Sequence, residues 1–168
     1  MAKAQGKYSL SLHPTKTRLV HFGQPRERHR QESERAESTF DFLGFTHYWG
    51  RSLKGNWVIK RKTAKNRLSR SLKGVGKWMR EHLHRPIREQ WETLKAKLQG
   101  HYGYYGITGN GEALEQYYDA VKRLWHKWLN RRSRRRGSMT WERLNILLSE
   151  HLSPARPRVV HSIDAVKS

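Results

Sequence analysis

Up to about residue 60 the apolar positions of this chain come in short runs that alternate with polar ones, and beyond Thr63 they recur every three or four residues. Alternation marks half-buried strands, and the three-four spacing marks helices with one buried face. Thr17-Arg18-Leu19-Val20-His21-Phe22, ending at Gly23, predicts a first strand. Phe40 to Trp49, FDFLGFTHYW, is aromatic and compact and predicts a second, and Asn56 to Arg61, NWVIKR, a third. GRSLKG, residues 50–55, separates the last two as a hairpin turn would. Residues 24–39, QPRERHRQESERAEST, hold no large apolar side chain and mix both charge signs, which predicts a mobile surface loop.

Leu68, Leu72, Val75, Met79 and Leu83 form one face of a first amphipathic helix, and Arg70, Lys73, Lys77 and Arg80 lie on its other side. No acid interleaves that stripe before Glu81, so self-neutralising i,i+4 pairs are largely missing. Pro86 suits the first turn of a second helix, where its lacking N–H costs nothing. Ile87, Trp91, Leu94, Leu98, Tyr102 and Tyr105 follow at helical spacing. This carries the helix into GHYGYYGITGN, residues 100–110. Gly100, Gly103 and Gly106 then fall within or at the end of a helix, each at about 1 kcal/mol relative to Ala. That cost predicts either close approach of another backbone or an abrupt cap near Gly106. Asn110 can cap a third helix, with Glu112 in its first turn and Leu114, Tyr117, Val121, Leu124 and Trp128 on its apolar face. It runs into Arg131, Arg132, Ser133, Arg134, Arg135 and Arg136, more cations than a helix C-terminus needs. Ser138 or Thr140 starts a last short helix through Trp141, Leu144, Leu147 and Leu148, and the tail after it, with Pro154 and Pro157, is predicted to be extended. The expected fold class is α+β: a small antiparallel β element followed by a mainly α-helical bundle.

Composition narrows the function. Thirty-five Lys and Arg against fourteen Asp and Glu leave a formal charge of +21 on 168 residues, which favours a polyanionic partner. Seven Trp and seven Tyr argue for a packed core rather than a disordered basic tail. The absence of Cys excludes disulfides and thiolate metal sites, and the ten His show no H-E-x-x-H or comparable ligand spacing. No apolar run approaches the roughly 20 residues of a membrane span, and MAKAQGKYSLSLHP lacks the apolar centre of a secretion signal. A cytoplasmic location without a membrane partner is expected.

Four stretches together resemble the proteins encoded by bacterial group II introns, which join a reverse transcriptase to an RNA-splicing maturase. LHPTKTRLVHFG resembles the segment after the catalytic hairpin of the palm. TFDFLGFTHYWGRSLKGNWVIKRKT resembles the strands that finish the palm and lead to the thumb. LKAKLQGHYGYYGITGN and LWHKWLNRRSRRRGSMTWERLNILLSEH resemble the maturase-specific helical region, domain X. The resemblance covers nearly all of the chain apart from residues 24–39. It implies a palm remnant over residues 1–60, a thumb and domain X over 61–136, and a C-terminal helix and extended tail over 137–168. In that family two Mg²⁺ ions are held by palm aspartates, a pair of them in a Tyr-x-Asp-Asp hairpin. No such hairpin occurs here, and Asp41, Asp119 and Asp164 stand apart, whereas the chemistry needs converging carboxylates.

The resemblance therefore implies an RNA-binding fragment that assists intron folding and splicing. It would have no polymerase site, catalytic residue, metal ligand or cofactor of its own, Mg²⁺ belonging to the complete family enzyme or to the RNA. The expected partner is structured RNA, a group II intron RNA in particular, with an upstream reverse transcriptase fragment as a second. A split RNA-directed DNA polymerase and a general basic nucleic-acid-binding protein are the alternatives. The residues expected on RNA are Lys60, Arg61, Lys62, Lys65 and Arg67, the stripe Arg70, Lys73, Lys77 and Arg80, and the cluster Arg131, Arg132, Arg134, Arg135 and Arg136. Tyr102 and Tyr105 continue the apolar stripe as core residues would. Tyr104 falls off it and is the tyrosine expected to stack on an unpaired base.

Overall fold

The computed structural model describes residues 19–25, 39–132, 137–152 and 155–161. A three-stranded antiparallel sheet in sequential order, β1 (Thr39–Phe42), β2 (Phe45–Arg51) and β3 (Trp57–Thr63), leads into a helical bundle. The bundle is α1 (Lys65–Glu81), α2 (Ile87–Tyr105), α3 (Gly111–Arg132) and α4 (Trp141–Ile146), the last continuing into a π-helical turn over Leu147–His151. The chain is α+β. β3 runs on to Thr63, so the boundary expected after residue 60 falls inside a strand.

The aromatic run Phe40–Trp49 is two strands, not one. Leu43 and Gly44 both adopt positive φ, +48° and +83°, the hand of a two-residue turn whose twist matches the strands on either side. A leucine there gives no turn signal, because L-residues rarely enter this region. The second turn is held within itself: Ser52 N–H donates to Asn56 O at 2.8 Å and Arg51 Nη1 to Gly55 O at 2.8 Å. Register pairs Phe42 with Phe45, Phe40 with His47, and Trp49 with Ile59. One face therefore carries Phe40, Phe42, Phe45, His47 and Trp49, while Tyr48, Lys60 and Lys62 share the other. No strand forms over Leu19–Phe22, the described part of the first expected strand. Phe22 instead docks by its ring, stacked on Trp49 at 5.4 Å and edge-on to Phe40 at 4.8 Å. Of the expected loop 24–39, residues 26–38 lie outside the described residues.

The helices form where the apolar spacing places them, except that α1 stops at Glu81, short of Leu83, and Pro86 lies just before α2 rather than in its first turn. Their shared core holds Val75 and Met79 of α1, Trp91, Leu94, Leu98 and Tyr102 of α2, and Leu114, Tyr117, Val121, Trp125 and Leu129 of α3. Trp91 and Trp125 stack at 5.2 Å. Beside them the buried Gln90 accepts from Trp125 Nε1 at 3.0 Å and donates to Leu83 O and Arg85 O, tying the α1–α2 turn to α3. Thr140 caps α4 by accepting from Arg143 N at 3.2 Å. Asn130 holds the approach to α4 in place through paired bonds with the Met139 backbone.

Asn110 precedes α3, but its side chain does not cap it. The buried amide accepts from Thr63 N at 2.9 Å and donates to Thr63 Oγ1 at 2.9 Å and Tyr105 O at 2.8 Å. The end of β3, the end of α2 and the start of α3 thus meet at one residue. Close by, Gly44 O accepts from Ala64 N at 2.9 Å, and Tyr104 Oη donates to Leu43 O at 3.0 Å, so the first turn of the sheet docks on the same corner. Because α1 leaves Thr63 and α3 leaves Asn110, the two helices start together and run side by side in the same direction, with Ser71 Oγ 2.7 Å from Tyr117 Oη.

The close backbone approach expected in GHYGYYGITGN occurs at Gly106 alone. A Cβ there would lie 2.8 Å from Arg158 O and 3.1 Å from Val160 N, whereas Gly100 and Gly103 face open space. The tail crosses at that point: Val160 N and His161 N donate to Gly106 O, and Ile107 and His161 form a parallel bridge. Tyr102 Oη donates to Ala155 O at 3.1 Å from the buried side.

Leu43 is 68% exposed, so replacing it sacrifices little packing, while its positive φ favours Asn. Leu43→Asn is expected to stabilise the protein by about 0.5–1 kcal/mol, read as a higher urea midpoint at unchanged slope; a lower midpoint would contradict the turn geometry.

Candidate nucleic-acid interface

The amphipathic pattern of α1 turns Val75 and Met79 inward and leaves Arg70, Lys73, Lys77 and Arg80 exposed. Among the described residues one ion pair touches this stripe, Lys77 Nζ to Glu81 Oε1 at 3.9 Å, between two exposed side chains. Such a pair contributes little in water. The first turn of α1 holds Lys65 and Arg67 with no acid and no side-chain cap. Positive side chains there oppose the helix dipole, a cost that a bound polyanion would offset.

The parallel placement of α1 and α3 adds cations that the sequence reading did not single out. Arg123 and Lys127 of α3 face Lys65 and Lys73 of α1 across a groove of about 710 Å³. Their spacing of four beside the half-buried Leu124 was the available signal. It acquires meaning only once α1 is known to be the neighbouring helix. At the sheet end Lys62 and Lys65 line a second crevice of about 280 Å³ with Tyr48, Asn110, Glu112 and Gln116. Lys62, Lys65 and Lys73 thus continue one cationic surface from β3 along α1.

The other expected contacts are dispersed. Strand alternation puts Arg61 on the aromatic face, opposite Lys60 and Lys62. Lys60 lays its stem over Gly50, where a Cβ would come within 2.7 Å of Lys60 Cδ, and Lys62 Nζ sits 5.2 Å from the Tyr48 ring centre. Arg67 lies near Tyr105, where its charge counters the burial that raises that phenol. Arg131 packs over Trp128 at 4.9 Å, and Arg132 Nη1 donates to Arg85 O at 2.6 Å, so both have contacts within the protein. Arg134, Arg135 and Arg136 lie outside the described residues. Tyr104 is 55% exposed and has contacts within the protein. Its ring stacks on Phe45 at 6.1 Å and its hydroxyl holds the sheet turn.

Beneath the surface, burial disfavours the charged forms of several ionisable groups. The His101 imidazole stacks on Tyr117 at 3.7 Å, its Nε2 has no partner, and desolvation lowers its pKa from 6.5 to about 4. Burial raises the Tyr102 phenol first of all, with neighbouring Tyr118, Glu115 and Tyr117 adding to it. Tyr117 is raised by burial, against the opposing hydrogen bond with Ser71. These groups are packing elements.

Among the described residues no three His, Cys, Asp or Glu gather as a metal site would require, and no helix is long and apolar enough to cross a membrane. Comparison of the chain with protein-family models, with curated proteins and with solved structures finds no match.

His101 gives the stability of the bundle a pH dependence. Between pH 6.5 and about 4 the unfolded chain takes up a proton that folded His101 refuses. The contribution is therefore complete above pH 6.5 and is lost as pH falls toward 4. At about 1.4 kcal/mol per pH unit, roughly 2–3 kcal/mol is lost between pH 7 and 4.5. His101→Phe should flatten that part of a stability profile measured by urea titration from pH 7 to 4.5, and an unchanged slope would assign the dependence to other groups.

Proposed function

We propose that this chain is an RNA-binding unit corresponding to the end of the palm, the thumb and domain X of a group II intron reverse transcriptase and maturase, and that it assists the folding and splicing of intron RNA. The observation that carries the reading is the cationic surface of α1, which is met across one groove by Arg123 and Lys127 and opposed on its own helix by Glu81 alone. Lys and Arg spread over two helices suit a phosphate backbone, whose charges are regularly spaced and whose counterions are released on binding. The resemblance of the FLGF and GHYGYYG stretches to maturases points to RNA rather than to DNA. Arg70, Lys73, Lys77 and Arg80 take phosphates in this reading, with Lys60, Lys62 and Lys65 extending the contact toward the sheet.

Affinity for a structured intron-derived RNA, measured by fluorescence anisotropy, is expected to fall on the order of 10³-fold between about 50 and 200 mM salt if about six phosphates are contacted. Changing Arg70, Lys73 and Lys77 together to Gln should lower the salt slope by roughly 2 to 3. Stability should change by only about 0.5 kcal/mol per substitution. Arg26, Arg28 and Arg30, which alternate with other polar and acidic residues in the sequence, serve as the comparison. Equal losses from both triple variants would indicate diffuse attraction to net charge and end the reading.

The second expectation is chemical. The acids of the sequence are scattered, so the chain alone should not extend a primer on any template with Mg²⁺ or Mn²⁺. Extension above a buffer control, abolished by chelation, would overturn it.

A further inference from the structure

The groove between α1 and α3 has a floor unlike its rim. Leu68, Leu72 and Gly76 from α1 and Ala120 and Leu124 from α3 make the floor, and Lys65, Lys73, Arg123 and Lys127 stand around it. No acid and no aromatic ring lines it. An RNA backbone could neutralise the rim, but it would leave the aliphatic floor without a partner, since bases are recognised by stacking and by hydrogen bonds at their edges. The groove is also a furrow between two helices rather than a flat surface. From Lys65 to Gly76 it extends about 16 Å at 1.5 Å per residue, three turns of a helix.

We propose that this groove docks an acidic amphipathic helix of a protein partner. Two or three aliphatic side chains at i, i+3 or i+4, and i+7 would enter the floor, in the manner of helix-in-groove recognition. Carboxylates flanking them would meet Lys65 and Lys73 on one wall and Arg123 and Lys127 on the other. Rim charges of one sign set orientation and exclude basic helices, while the floor supplies the burial. Gly76 is the opening in the floor: a Cβ built there meets no atom within 4 Å. The rim cations Lys65, Lys73, Arg123 and Lys127 also belong to the surface assigned to RNA, so the aliphatic floor is what distinguishes the two ligands.

The test uses the full chain and a fluorescein-labelled peptide of about 18 residues, rich in Glu and Ala, with Leu on one face. A peptide of the same composition, its leucines scattered around the wheel, is the control. In anisotropy titrations at about 150 mM salt the amphipathic peptide should bind at least about tenfold tighter than the scrambled one. Gly76→Leu fills the floor and should weaken the amphipathic peptide about tenfold or more, while affinity for a structured RNA hairpin changes less than about twofold. Should that variant fail to fold by circular dichroism, Arg123→Glu combined with Lys127→Glu, on exposed side chains, should produce a comparable loss of the acidic peptide. Equal binding of the two peptides, or full peptide binding by whichever variant folds, would overturn the proposal. So would a Gly76→Leu defect confined to RNA or to phosphatidylglycerol vesicles, which would assign the groove to those ligands instead.

Discussion

The side chain of Asn110 is the joint on which the arrangement depends. It is buried and makes three hydrogen bonds, two to Thr63 and one to the last carbonyl of α2, across separations of up to 47 residues. Each such bond contributes about 1 kcal/mol net, but a buried amide or carbonyl left unpaired costs about 1–3 kcal/mol. The corner therefore tolerates little displacement of any of its three segments. The sheet reaches the helices at the same place, through the Leu43–Gly44 turn and the rings of Phe45, Tyr104 and Tyr105. Because α1 and α3 both leave from this corner, their walls are parallel, and the cationic groove follows from that placement.

The glycine-tyrosine segment serves the same joint from the other side. Tyr102 fastens the tail inside, Tyr104 and Tyr105 fasten the sheet, and Gly106 lets the returning backbone pass at hydrogen-bond distance. Of its glycines, Gly106 has a steric reason visible in the fold, in the crossing of residues 158–161. A Cβ at Gly100 or Gly103 would meet no atom within 4 Å, so neither is required by a close approach.

Charge and packing are separated in space. The groups whose charged forms burial disfavours, His101, Tyr102 and Tyr117, lie in the interior, while the Lys and Arg residues of α1 stay on the surface. A chain of formal charge +21 repels itself when compact. The helices of this one are held by apolar burial and by a few buried amides that do not titrate, Gln90 and Asn110 foremost.

The sequence by itself determined the α+β class, the apolar face of α1, the reach of α2 into GHYGYYG and the exposure of Arg70, Lys73, Lys77 and Arg80. All of these follow from repeats of three or four residues, which the local geometry of a helix converts directly into faces. Only the tertiary structure decided which faces meet. The hairpin inside Phe40–Trp49 turns on Leu43 and Gly44, and because the leucine holds a φ that its own preference opposes, Gly44 was the one local signal of it. Asn110 read as a helix cap because capping is its commonest local use, yet its amide is taken by Thr63, 47 residues away. Arg123 and Lys127 became part of a surface only when that corner set α3 beside α1. The Tyr104 hydroxyl is tied to the carbonyl of Leu43, 61 residues upstream. The last three share a physical reason: each depends on distances between segments far apart in the chain, and periodicity along one segment carries no information about them.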